Sequence, residues 1–107
     1  MNRENDPQHY KETSFKCIDA IMMVLGAGGT VTFCIGNVIK YLWRYKHKNG
    51  LEDLEKASEY VNIAQDIINR HLHGEDAERY QDELDRVAVV HGYIFRKEKM
   101  NDQRGVL

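Results

Sequence analysis

Apolar residues recur along this chain with helical rather than strand spacing. Ile18, Ile21, Met22 and Leu25 stand at i, i+3, i+4 and i+7, which predicts a first helix capped by the hydroxyl of Ser14. The run Gly26-Ala27-Gly28-Gly29 is expected to end it, because glycine weakens a helix interior and suits its C-terminus. A second helix is predicted from near Thr32 to Lys48, stopped by Asn49-Gly50. Leu54, Ala57, Val61, Ala64, Ile68 and Leu72 line one face of a third, with Glu52, Glu55, Glu59 and Asp66 largely opposite. So short a connection makes the second and third helices an antiparallel hairpin. Gly74 separates a fourth helix, in which Glu75, Asp76 and Glu78 suit the positive N-terminus and Tyr80, Leu84, Val87, Ala88 and Ile94 form the apolar stripe. The expected fold is all-α, a small bundle of about four helices in a single domain over residues 1–107. Residues 1–13, which hold Pro7, form a polar arm, and residues 101–107 a frayed tail.

Composition adds partners to this picture and removes others. At 107 residues, 42% of them hydrophobic, the chain has material for one core. Fifteen Lys and Arg against seventeen Asp and Glu leave a net charge of −2, which argues against a general nucleic-acid coat. One Trp, six Tyr and three Phe supply more apolar surface than one small bundle covers, so a homo-oligomer is expected. Cys17 and Cys34 form no CxxC pair, which fits two reduced thiols in a cytoplasmic protein. The most apolar run, Ala20 to Gly36, is broken by glycines and threonines and falls short of the roughly 20 residues a membrane helix needs. No membrane partner is expected.

Charge is unevenly spread. No acidic residue occurs from Ala20 to Gly50, while Lys40, Arg44, Lys46 and Lys48 crowd the end of that stretch. At about 100° per residue, Asn37, Lys40, Tyr41, Arg44 and Lys48 share one helix face, away from Ile35, Val38, Ile39 and Leu42. Such a face can grip phosphate by charge-assisted hydrogen bonds while Tyr41 packs on a base; a merely solvated basic face has the same pattern. On the neighbouring helix Asp53, Lys56 and Tyr60 can be turned toward Lys40 and Arg44, with Asp53 at the edge of the apolar stripe. There Asp53 would orient Arg44, accept a ribose hydroxyl or form an ordinary ion pair. His9 and Tyr10 place an imidazole and a phenol in the arm, where His9 is either a phosphate ligand or acid–base group, or a plain surface residue.

Other chemistries lack their residues. The glycine run is not followed by the Gly-Lys-Ser/Thr of a P-loop, and no Rossmann or zinc-cluster pattern occurs. His71 and His73, two apart, fall on different helix faces and do not make a metal pair. Glu52-Asp53-Leu54-Glu55 and Asp82-Glu83-Leu84-Asp85 imitate the paired acidic motifs of magnesium-dependent helical pyrophosphohydrolases, yet Glu52 and Glu55 face away from the core. No metal site is predicted.

The motifs His9-Tyr10-Lys11, Cys17-Ile18-Asp19-Ala20-Ile21, Phe33 to Tyr45, Lys48 to Ala57, and Tyr60 resemble a small phage family over residues 7–64. Its members are often described as nucleotide kinases or carried as a domain of unknown function; the C-terminal helix matches only in character. The resemblance implies phage nucleotide metabolism in the cytoplasm of an infected bacterial cell, with a phosphotransferase of nucleoside monophosphate kinase type that lacks a P-loop. It carries over His9, Tyr10, Asn37, Lys40, Tyr41, Arg44, Lys48, Asp53, Lys56 and Tyr60 as nucleotide contacts and assigns no catalytic role among them. No cofactor is implied beyond a nucleotide phosphate donor. Two alternatives stand beside the kinase: a non-catalytic protein that sequesters a nucleotide-derived host defence signal, and a helical protein-interaction module.

Overall fold

The computed structural model describes residues 15–45 and 50–106, with side chains as far as Gly92. Three helices run in order, α1 (Cys17–Arg44), α2 (Leu51–His71) and α3 (Gly74–Val106), and no strand occurs among the described residues. The count falls one short of the expectation because the first two predicted helices are limbs of one element. Gly26, at φ 76° and ψ 178°, is the only non-helical residue inside α1. The second limb resumes at once, so Gly28 and Gly29 are helical and Thr32 is an interior residue rather than a start. Thr30, fully buried, donates its hydroxyl to the Gly26 carbonyl at 2.7 Å and so satisfies a backbone group at the break.

The N-cap of α1 is Lys16 rather than Ser14, which lies outside the described residues; the Asp19 carboxylate accepts the Lys16 backbone N–H at 2.8 Å. At the other end Gly50 holds φ 55° and donates its N–H to the Tyr45 carbonyl at 2.8 Å. A positive φ is what glycine permits without a Cβ penalty, and it turns the chain straight into α2. The hairpin is antiparallel as expected: Arg44 meets Asp53, Tyr41 meets Tyr60, and Ile18 and Met22 come to Ile63 and Ile67.

The core is a seam of Val31, Cys34, Val38 and Leu42 from α1, Ala57, Ala64, Ile67 and Ile68 from α2, and Leu84 and Val87 from α3. Ala57 and Ala64, two turns apart, let α2 approach α1 closely. α3 adds a reciprocal amide pair, Gln65 to Gln81 at 2.6 Å and Gln81 to Gln65 at 3.0 Å, and lays Tyr80 over Gly28. Ala88, expected in the core, is exposed in the wall of an open cleft of about 620 Å³ lined also by Leu54, Val61, Leu84 and Val87. The Ala20–Gly36 run sits inside a 28-residue helix that is long and apolar enough to cross a membrane by length and composition, since its glycines do not end it.

Candidate functional site

The second limb of α1 carries Phe33, Asn37, Lys40, Tyr41 and Arg44 in one row beside the buried seam. Antiparallel packing lays the first half of α2 along that row. Tyr60 lies edge-on to Phe33 at 6.2 Å between ring centroids and stacks on Tyr41 at 6.0 Å with 14° between the planes. Both distances lie within the range over which aromatic pairs attract. The Lys40 ammonium sits 4.6 Å from the centre of the Tyr41 ring, and the Arg44 guanidinium carbon 5.6 Å from it. Two cations therefore share one ring, whose negative face holds them against their mutual repulsion.

Arg44 is set from below by Asp53. The carboxylate is 1% exposed, deeper than the stripe-edge position expected from sequence, and its Oδ2 lies 3.5 Å from Arg44 Nε. That Nε is buried and makes no hydrogen bond; 3.5 Å exceeds the roughly 2.7–2.9 Å of a charge-assisted one. Burial places the Asp53 carboxylate inside the hairpin, where it can orient Arg44, and hides it from a ribose hydroxyl. The Arg44 side chain as a whole is 37% exposed, so Asp53 does not enclose it.

Burial also sets the protonation of the ledge. It pushes the Cys34 thiol up to about 11. The Tyr60 phenol is raised above its ordinary value by burial first, then by Tyr41 and Cys34, with the Lys56 ammonium pulling the other way. Tyr60 is thus a neutral hydroxyl at pH 7, able to donate a hydrogen bond.

Of the residues singled out from sequence, the fold brings Lys40, Tyr41, Arg44, Asp53 and Tyr60 into one cluster. Asn37 shares the row, half-buried, and its amide N–H donates to the Phe33 carbonyl at 3.2 Å. Lys56 is exposed one turn from Tyr60 and near enough to act on its phenol. His9, Tyr10 and Lys48 lie outside the described residues. Phe33 and Cys34 belong to the ledge and were missed as site residues. Phe33 could have been found, because it stands four residues before Asn37 on the same face; Cys34 could not, because its place beneath Tyr60 depends on the hairpin.

The remaining concavities suit other chemistry. The 620 Å³ cleft opens on the opposite flank of α2 and is walled mainly by aliphatic side chains, with Asp85 and His91 as its titratable members. Among the described residues no group of three His, Cys, Asp or Glu side chains is arranged to hold a metal ion. Glu52 and Glu55 are exposed, on the solvent side where sequence places them.

No curated protein and no solved structure matches the chain. A family model, described as a protein of unknown function, DUF3310, matches residues 4–62, which take in α1, the Gly50 turn and the half of α2 that carries Asp53, Lys56 and Tyr60. The whole described ledge falls within that match, and the chain belongs to the DUF3310 family.

Proposed function

We propose that this protein binds a nucleotide, or a small molecule derived from one, with its phosphates on Lys40 and Arg44 and its base against the Tyr41–Tyr60 pair. The observation that carries the reading is the pair of cations on a tyrosine ring that is itself stacked on a second tyrosine. A nucleotide joins a polyanion to a flat aromatic, and this ledge offers the complement of each within one helical turn. The stretch without acidic residues from Ala20 to Gly50 leaves that side of the ledge without a carboxylate to repel phosphate. Asp53 acts as a positioning residue for Arg44, and Asn37 and Lys56 flank the ligand. The family resemblance adds His9, Tyr10 and Lys48, outside the described residues, as further proposed contacts.

The activity proposed on this site is nucleotide-kinase-like, in an infected bacterial cytoplasm. A nucleoside triphosphate would lose its terminal phosphoryl group to a phosphate oxygen of the bound nucleotide and leave as the diphosphate, with Lys40 and Arg44 neutralising the transferred charge.

Calorimetric titration of the full chain with AMP, ADP, ATP and a cyclic nucleotide tests the binding. Arg44→Ala and Lys40→Ala should each weaken the best ligand by about 1.5–3 kcal/mol, or roughly 10–150-fold. Arg86→Ala, an exposed cation on α3, should leave it unchanged. Lys40 is exposed, so its removal does not confuse binding with folding. Unchanged affinity in both site variants removes the assignment. Product analysis with a triphosphate donor then separates transfer from binding: a ligand held without turnover retires the kinase activity and keeps the site.

A further inference from the structure

Three aromatic rings stand in the ledge, and they are not equally free to meet a ligand. Tyr41 already carries Tyr60 in a stack and two cations over its ring, and both tyrosines are half-buried. Phe33 is 37% exposed, and its one ring contact among the described residues is edge-on to Tyr60. It extends the tyrosine pair by a third ring that is still open to solvent.

Phe33, Asn37, Lys40 and Arg44 form a single face. Steps of four, three and four residues keep all four within about 60° of one another around the helix. The rise of 1.5 Å per residue separates Phe33 from Lys40 by about 10.5 Å along the axis, and from Arg44 by about 16.5 Å. A nucleotide has the same order of parts, with a flat base at one end, phosphates at the other and a sugar between. Gly36 occupies the interval between Phe33 and Lys40; it is exposed, and a Cβ built on it meets nothing within 4 Å. Ring and cation are thus separated by bare backbone. Beside this gap the Asn37 amide N–H is spent on the Phe33 carbonyl, while its Oδ1 takes no hydrogen bond among the described residues. That oxygen is an acceptor for an O–H or N–H of a nucleoside. Trp43, 68% exposed, is the other aromatic near the cations, but it stands about 100° round the helix from Arg44 and makes no ring contact with the ledge.

We infer that Phe33 is the platform on which the base stacks, with the sugar over Gly36 beside Asn37 and the phosphates at Lys40 and Arg44. This rests on the nucleotide reading above and adds the end of the site that holds the base. Stacking on an aromatic face tolerates every base, so Phe33 separates nucleotides from bare polyphosphate rather than one base from another.

Calorimetric titration of the full chain with ATP, GTP, CTP and TTP, beside inorganic tripolyphosphate, tests it. Phe33→Leu should weaken the best nucleotide roughly 5–150-fold and leave tripolyphosphate unchanged, since only the nucleoside meets the ring. Phe33→Tyr, which keeps a ring, should bind as wild type does. Gly36→Leu fills the gap from a position where a Cβ meets nothing, so it should weaken the nucleotide with the helical spectrum intact, and it serves if Phe33→Leu does not fold. Trp43→Ala should leave every affinity unchanged, and Arg44→Ala should weaken nucleotide and tripolyphosphate together. A folded Phe33→Leu chain that keeps its nucleotide affinity, while Arg44→Ala loses it, overturns the platform and leaves the phosphate site standing. Equal losses of nucleotide and tripolyphosphate in Phe33→Leu would make Phe33 a support of the ledge, and a loss in Trp43→Ala instead would move the base there; both overturn the inference. A wild-type chain that binds no nucleotide removes the nucleotide reading and the platform with it.

Discussion

Gly28 and Gly36 lie two turns apart in the second limb of α1 and give the same substitution two different outcomes. A Cβ built on Gly28 would stand 2.6 Å from Tyr80 Oη and 2.7 Å from its Cζ, whereas one on Gly36 meets nothing within 4 Å. Neither glycine has a positive φ, so alanine fits the backbone at both. Replacing a helical glycine by alanine gains about 0.5–1 kcal/mol, from chain entropy and helix propensity. At Gly28 this is opposed by overlap with an aromatic ring, and forcing extra atoms into a packed contact costs about 1–3 kcal/mol. Tyr80 cannot swing away without cost, since its ring also carries the Arg79 guanidinium at 4.9 Å. Gly36→Ala should therefore stabilise, Gly28→Ala should be neutral or destabilising, and the two should differ by about 1–3 kcal/mol. Urea denaturation followed by circular dichroism, with equal slopes in the two variants, measures that difference. Tyr80→Leu in the Gly28→Ala background should recover part of the loss. Equal stability of the two alanine variants would refute the docking of α3 on α1 through this contact.

Two further outcomes follow from buried polar groups. Thr30→Val keeps the volume but removes the hydroxyl from the Gly26 carbonyl, and should cost about 1–2 kcal/mol in the same denaturation assay; a cost near zero would mean the carbonyl at the break is satisfied otherwise. Cys34 has its folded value raised from 9.0 to about 11, so the native state holds this proton more tightly than the unfolded chain does. Its contribution is present below pH 9.0 and is lost as pH rises through about 11, a decline that Cys34→Ala should lack. In native protein a thiol reagent should modify exposed Cys17 and spare Cys34; equal rates for both would contradict the buried, protonated thiol.

The ledge explains how a domain with a net charge of −2 can present a cationic site. Its positive groups share one ring, its one deeply buried carboxylate serves Arg44, and the Gly50 turn joins the two helices that carry them. Gly50 φ and the Tyr41–Tyr60 stack therefore belong to the same problem. A turn of another shape would change the register of α2 against α1 and move Tyr60 off Phe33 and Tyr41.

Periodicity determined the helical character, the apolar faces and the basic row, because the 3.6-residue repeat puts residues three and four apart on one face whatever the helix packs against, and the short Asn49-Gly50 connection gave the antiparallel hairpin. Ala57, Ala64, Ile68, Leu84 and Val87 were legible as core for this reason, and so were Asn37, Lys40, Tyr41 and Arg44 as one row. The continuity of α1 was not legible. Local propensity favours a stop at four residues containing three glycines, but Tyr80 fills the space over Gly28 and Thr30 satisfies the Gly26 carbonyl, so packing carries the helix on. The depth of Asp53 was equally hidden, since a carboxylate at a stripe edge enters the interior only when a cation such as Arg44 is delivered to it by another helix. The sequence by itself determined which faces exist. Tertiary structure decided which residues of those faces meet, because the contacts of Arg44 with Asp53 and of Tyr60 with Phe33 and Tyr41 depend on the register of two helices, which no spacing within one helix contains.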